Sequence, residues 1–127
     1  MAKTIMIIDD SILFRKMLSI TLSSEGYDIV QAASAGEAME KVSRRNIDLM
    51  ICDYIMPVIN GVGFLRMARQ SDTLRSKPVI MLSSSSRDSV KEDISGLGVS
   101  MWKTKPYDPV DILSSIRDVM SQGPVSP

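Results

Sequence analysis

Short apolar runs alternate along the whole chain with stretches whose apolar residues recur every three or four positions, and this alternation predicts strands interleaved with helices. Lys3 to Ile8 (KTIMII) is a short apolar strand that ends at the acid pair Asp9 and Asp10. Ser11 to Ser24 is helical: Phe14, Met17, Leu18, Thr21 and Leu22 share one side, and Gly26 stops the helix. Asp28 to Ala32 is the second strand. Ser34 and Glu37 form a capping-box pattern that opens a helix to about Arg45. Ile47 to Cys52 is almost continuously apolar, as a central strand covered on both faces requires, and it stops at Asp53. Pro57, Asn60 and Gly61 turn the chain, and Asn60 caps a third helix through about Gln70. Pro78 to Ser83 is the fourth strand, with its proline at the tolerated first position. Arg87 to Leu97 is a weaker helix, thinly apolar and with Gly96 inside it. Val99 to Lys103 is the fifth strand. Asp108, Pro109 and Asp111 supply a cap, a first-turn proline and an early acid for a last helix to about Met120.

Five strands alternating with five helices imply an α/β fold, a parallel sheet with helices on both faces. Right-handed crossovers and a single reversal make 2-1-3-4-5 the natural strand order. That order sets the first and third strands side by side. Asp9, Asp10 and Asp53 then converge at one edge of the sheet.

Composition narrows the function. The 127 residues are 44% hydrophobic and 24% charged, which suits one domain spanning residues 1–120, with 121–127 as a flexible tail or the start of a linker. Fifteen basic and fifteen acidic residues cancel, so no overall charge draws the domain to nucleic acid or an anionic membrane. No apolar run approaches a membrane span, and no secretory leader is visible. The single cysteine, Cys52, cannot form an internal disulfide, in keeping with a reducing cytoplasm. With no histidine in the chain, triads and zinc sites built on imidazole are excluded. The ten methionines are spread over strands and helices, which favours core filling over an adaptable binding surface.

Three carboxylates at one edge repel each other, and unless a positive group joins them at least one should hold its proton near neutrality. A hard divalent cation resolves this, and Mg²⁺ commonly takes one or two carboxylates together with phosphate oxygens. Lys105, just after the fifth strand, is a second source of positive charge, and Ser83 ends the fourth strand at the same edge. Each feature alone has an ordinary reading: helix-capping acids, a turn acid, a surface lysine, a polar loop. Their joint placement at the ends of strands one, three, four and five makes coincidence the poorer account.

These residues, IIDDS, CDYIMPVING, PVIMLSS and the late KPY, resemble the receiver domain of two-component response regulators over about Lys3 to Met120. The resemblance implies a flavodoxin-like (βα)5 sandwich in the cytoplasm. It also implies that Asp53 accepts a phosphoryl group from a phosphohistidine of a sensor histidine kinase or phosphotransfer protein. Asp9, Asp10, Asp53 and the backbone carbonyl of Ile55 would surround Mg²⁺ or Mn²⁺. Lys105 would neutralise phosphoryl charge, Ser83 and the Ser84 N–H would meet the phosphoryl group, and Trp102 matches the switch aromatic. Lys105 and Pro106 look like the family's cis peptide. Such a domain is a signalling protein rather than an enzyme, promoting its own phosphorylation and dephosphorylation. It binds an unidentified downstream protein, and exists as a monomer or weak phosphorylation-dependent dimer. Ile55 and Ser85 occupy positions where some members place a hydrolytic water, so slow loss of phosphate is expected. The alternatives are a receiver cut from a longer regulator with a DNA-binding or enzymatic output domain and, remotely, an aspartyl-phosphate phosphatase, which wants an acid where Ile55 stands.

Overall fold

The computed structural model describes residues 2–83, 96–104 and 108–122. In chain order its elements are β1 (Thr4–Ile8), α1 (Ile12–Ser24), β2 (Asp28–Ala32), α2 (Ala35–Val42), β3 (Leu49–Asp53), α3 (Gly61–Arg69), β4 (Val79–Ser83), β5 (Met101–Thr104) and α4 (Pro109–Ser121). All strand pairs are parallel, in the order β2-β1-β3-β4-β5 expected from the alternation.

Strand alternation divides the core into two. Met6, Ile8, Met50, Cys52 and Met81 face Ala35, Ala38 and Val42 of α2 and Phe64, Leu65 and Ala68 of α3. Ile5, Ile7, Leu49, Ile51, Ile80 and Leu82 face Leu18 and Leu22 of α1 and Ile112, Leu113, Ile116 and Val119 of α4. The result is three layers, with β1, β3 and β4 buried along their whole length. Met6, Met50 and Met81 are fully buried, so much of the methionine content does fill the core. Met17, placed by periodicity on the inner side of the first helix, is instead more than half exposed, and Phe14 is half-buried. The sheet covers only part of that side, and Leu18 and Leu22 occupy it.

Caps set the helix starts. The hydroxyls of Ser11 and Ser34 accept the N–H groups of Phe14 and Glu37 at 3.2 Å, and Asn60 Oδ1 accepts that of Gly63 at 2.9 Å. The Glu37 carboxylate pairs with Lys41 at 2.9 Å, and that hydrogen bond holds it below the usual carboxylate range. Three elements differ by two residues or more at one end from those the sequence predicts. The second helix ends at Val42, short of Arg45. The third strand runs Leu49–Asp53, so Asp53 is its last residue and not the one beyond it. The fifth runs Met101–Thr104. Most of the predicted Arg87–Leu97 helix lies outside the described residues. Gly96 itself does not sit inside a helix, however: it is a turn residue with φ of 81°, in the left-handed region that glycine favours.

One long-range fastening has no counterpart in the hydrophobic pattern. The Arg69 guanidinium, at the end of α3, donates to the carbonyls of Leu74, Lys77, Leu97 and Gly98 at 2.6–3.0 Å and more weakly to Arg75. It thereby ties the approach to β4 to the turn before β5. Half-burial pulls its pKa below the usual arginine value, and main-chain dipoles rather than a carboxylate offset its charge.

Candidate functional site

Ile8 lies opposite Cys52 in the β1–β3 register, so the next residues, Asp9 and Asp53, end the two strands at one level. Between these strands the order of the sheet reverses, which is where open α/β sheets bind ligands. Asp9 is 1% and Asp53 7% exposed, while Asp10 faces out. The Ser11 N–H donates to Asp9 Oδ1 at 2.9 Å, and the Asp9 carbonyl accepts from the Arg15 guanidinium at 2.5 Å, which fixes the strand-to-helix turn. One carboxylate oxygen from each of Asp9, Asp10 and Asp53 lies within 4.8 Å of the others.

Two carboxylates at that separation repel by roughly 3 kcal/mol at an effective dielectric of about 20. A cation placed between them reverses the sign of the interaction. The donor set is all oxygen, carries up to three negative charges and opens to solvent through Asp10, features that suit a hard divalent ion such as Mg²⁺ or Mn²⁺. Cys52, next to Asp53, adds no soft ligand. Its burial pushes the thiol pKa well up, and its Sγ–H points to the Asp53 carbonyl at 3.4 Å.

The main chain after the acid is held on both sides. The Tyr54 N–H donates to the Leu82 carbonyl, and the Tyr54 carbonyl accepts from Gly61 N–H, each at 2.7 Å. At position 61 a Cβ would stand 2.5 Å from the Asp53 carbonyl oxygen and 2.8 Å from Tyr54 Cα, so only glycine allows the approach. The intervening loop is tighter than its sequence suggests. Ile59 N–H donates to the Pro57 carbonyl at 2.9 Å around Val58, whose φ is 70°. This is a γ-turn of the rare positive-φ kind, with a β-branched residue at its centre and the Val58 side chain wholly in solvent. Ile55, on the same loop, is also exposed.

Ser83 closes β4, is buried, and lies one position beyond the Asp53–Leu82 pair. Trp102 lies opposite Met81 on β5 and meets the Tyr54 ring edge-on, with centroids 6.2 Å apart and planes at 61°. Thus Asp9, Asp10, Asp53, Ser83 and Trp102 come to one end or one face of the sheet. Lys105, Ser84, Ser85 and Pro106 lie outside the described residues. Sequence reading left Tyr54 unassigned, although an aromatic residue directly after a strand-end acid was the available signal. No local pattern marks the Val58 turn.

Fold and acid cluster together define the class, and residues 5–117 match the response regulator receiver domain, so the chain belongs to that family. Among solved structures it is similar to Vibrio cholerae chemotaxis protein CheY4, with 30% identity over 94% of this chain and 99% of that one and a TM-score of 0.88. It is also similar to the receiver domain of a signal transduction histidine kinase from Syntrophus aciditrophicus, with 28% identity, coverage of 95% and 92%, and a TM-score of 0.82. A curated relative is the phosphate regulon transcriptional regulatory protein PhoB of Pseudomonas aeruginosa, 26% identical over 93% of this chain and 52% of that protein. The chain spans about half the length of the curated relatives it matches. Among the described residues no helix is long and apolar enough to cross a membrane.

Proposed function

We propose that this domain is the phosphoacceptor of a cytoplasmic phosphorelay. Asp53 takes a phosphoryl group from a phosphohistidine of a sensor histidine kinase or phosphotransfer protein, and the phosphorylated domain changes its affinity for a downstream protein. The observation that carries this reading is the convergence of Asp9, Asp10 and Asp53 at the reversal point of the sheet.

In the transfer, an Asp53 carboxylate oxygen forms the new bond to phosphorus while the bond from phosphorus to the donor imidazole nitrogen breaks. The main chain of Tyr54, pinned to Leu82 and Gly61, fixes the direction from which that oxygen attacks. Asp9, Asp10, Asp53 and the Ile55 carbonyl would hold Mg²⁺ or Mn²⁺, which would supply the positive charge that three carboxylates and a phosphoryl group together require. Lys105 adds a second positive charge. Ser83 and the Ser84 N–H hold a phosphoryl oxygen, and Trp102 passes the change to the β5 face. The domain acts on itself alone and is not an enzyme toward a separate substrate.

A protein donor accounts for a further feature. Leu13, Met17 and Ile20 recur at spacings of four and three on α1, directly after the acid pair, and all three are exposed. Such a stripe suits the apolar side of a helical protein that carries the phosphohistidine.

A second reading, the receiver of a longer regulator, is favoured by the half-length match to transcriptional regulators. It changes the output and leaves the chemistry of Asp53 as it is. Incubation with acetyl phosphate and Mg²⁺ tests the common core. Wild type is expected to gain one alkali-labile phosphoryl group by mass and Asp53→Asn none, and equal labelling of the two would exclude the mechanism.

A further inference from the structure

The turn from β1 to α1 carries both Asp9 and Asp10, and the two carboxylates are held differently. Asp9 is buried, and its Oδ1 accepts the Ser11 N–H at 2.9 Å. The Asp10 carboxylate is exposed and bonds to no described residue, yet one of its oxygens lies within 4.8 Å of those of Asp9 and Asp53. An untethered carboxylate on a surface turn has several rotamers open to it. Its aim therefore depends on the main chain from which it leaves.

That main chain is tied on both sides of the Asp10 Cα. The peptide after it is held by the Ser11 N–H on Asp9, and the peptide before it by the Arg15 guanidinium, which donates to the Asp9 carbonyl at 2.5 Å. A peptide unit is planar, so a bond to its carbonyl oxygen sets the orientation of the whole unit up to the next Cα. Arg15 is itself braced from β2. Its Nε donates to Gln31 Oε1 at 3.3 Å, and the Gln31 carbonyl accepts from Lys41 of α2 at 2.5 Å. The planar fork thus links the edge strand to the peptide between the two acids.

We propose that Arg15 is a positioning residue for the cation site: by holding the Asp9–Asp10 peptide it aims the unsupported Asp10 carboxylate at Asp9 and Asp53, so that a divalent ion meets three oxygens already gathered. The inference rests on the receiver reading for the ion, and it adds a residue that acts through the main chain. Two effects of the guanidinium oppose each other. Its positive charge beside the acids disfavours a second cation, whereas its hydrogen bond prepares their geometry. The sign of the change on removing it tells which one governs.

Calorimetric titration with Mg²⁺ reads that sign on wild type, Arg15→Met, Asp10→Asn and the double variant. Arg15→Met keeps helix propensity and removes both bond and charge. It is expected to weaken Mg²⁺ binding about tenfold, as loss of a residue that orients a metal ligand does. Charge alone predicts tighter binding, and tighter or unchanged binding overturns the proposal. In the Asp10→Asn background the same substitution is expected to change the affinity by about twofold or less, because the carboxylate that Arg15 aims is already gone. A tenfold loss there as well would mean that Arg15 does not act through Asp10, and overturns it equally.

Acetyl phosphate labelling of Asp53 at increasing Mg²⁺ gives an independent reading. In Arg15→Met the half-saturating Mg²⁺ concentration is expected to rise while the maximal rate stays at the wild-type value, since a bound ion draws Asp10 into place. A merely structural role would lower the maximal rate and leave half-saturation where it was. If Arg15→Met fails to fold, Arg15→Gln, neutral and too short to span Asp9 and Gln31, carries the test with the same expected signs. A wild type that neither binds Mg²⁺ nor takes label removes the receiver mechanism itself, whereas normal wild-type binding with an unaffected Arg15 variant removes only the role of Arg15.

Discussion

Asp9 and Asp53 leave adjacent strands at the same level and, with Asp10, bring carboxylate oxygens within 4.8 Å of one another. The arrangement is unfavourable without a cation, and that gives a thermodynamic signature. Mg²⁺ in excess is expected to raise the urea midpoint of the wild type, by about 2.7 kcal/mol of stability at a hundred times the dissociation constant. Asp10→Asn, at the exposed member, is expected to raise the midpoint in EDTA by easing repulsion and to lose most of the Mg²⁺ gain. A midpoint in EDTA lower than that of the wild type would contradict this electrostatic account.

The apolar stripe on α1 separates two phosphate sources. Leu13→Glu and Met17→Glu are expected to slow phosphoryl transfer from a phosphohistidine protein by about tenfold or more, equivalent to at least one lost apolar anchor. Labelling by acetyl phosphate, which needs no docking surface, is expected to stay at the wild-type rate. Parallel loss of both activities would show that the stripe is not the docking face.

Ile55 stands exposed on the loop after Asp53 and offers attacking water neither a donor nor an acceptor. Ile55→Asn is expected to shorten the lifetime of the Asp53 phosphate by about fivefold, the effect of one hydrogen bond of ~1 kcal/mol in the hydrolytic transition state. The decay of phosphoprotein after removal of the donor measures it, and an unchanged rate counts against a role for this position.

Val58 holds a φ of 70° while its side chain makes no use of burial. Asparagine tolerates that backbone far better than a β-branched residue. Val58→Asn is therefore expected to stabilise the fold by about 1 kcal/mol in urea titration. A loss of stability would mean that the turn is relaxed with valine in place.

Arg69 serves the carbonyls of two separate loops through one planar fork. Arg69→Met is expected to cost about 2–4 kcal/mol, because several half-buried carbonyls lose their donor together. Arg69→Lys is expected to recover less than half, since an ammonium cannot span both loops in that geometry. The urea midpoints of the three proteins check both statements.

The hydrophobic pattern carried the architecture because strands buried on both faces must be continuously apolar, and helices packed on one side must repeat every three to four residues. Ile47 to Cys52 therefore announced a central strand, and Ser34, Asn60 and Asp108 announced helix starts through their own side-chain chemistry. The acids were legible for the same local reason, since each ends an apolar run. Pattern was weaker at the element ends, where one or two residues more or less leave burial almost unchanged, and on α1, where Met17 repeats correctly yet stays more than half exposed.

What the sequence by itself determined was the order of elements, the two-sided burial of the sheet and the edge at which the acids gather. Tertiary structure alone decided the level match of Ile8 with Cys52, the contact of the Tyr54 ring with an unpaired indole, the positive φ of Val58 and the reach of Arg69 across two loops. Periodicity records only which side of an element is covered. Contacts between residues distant in the chain depend on register and on main-chain atoms, and those atoms are chemically the same at almost every position.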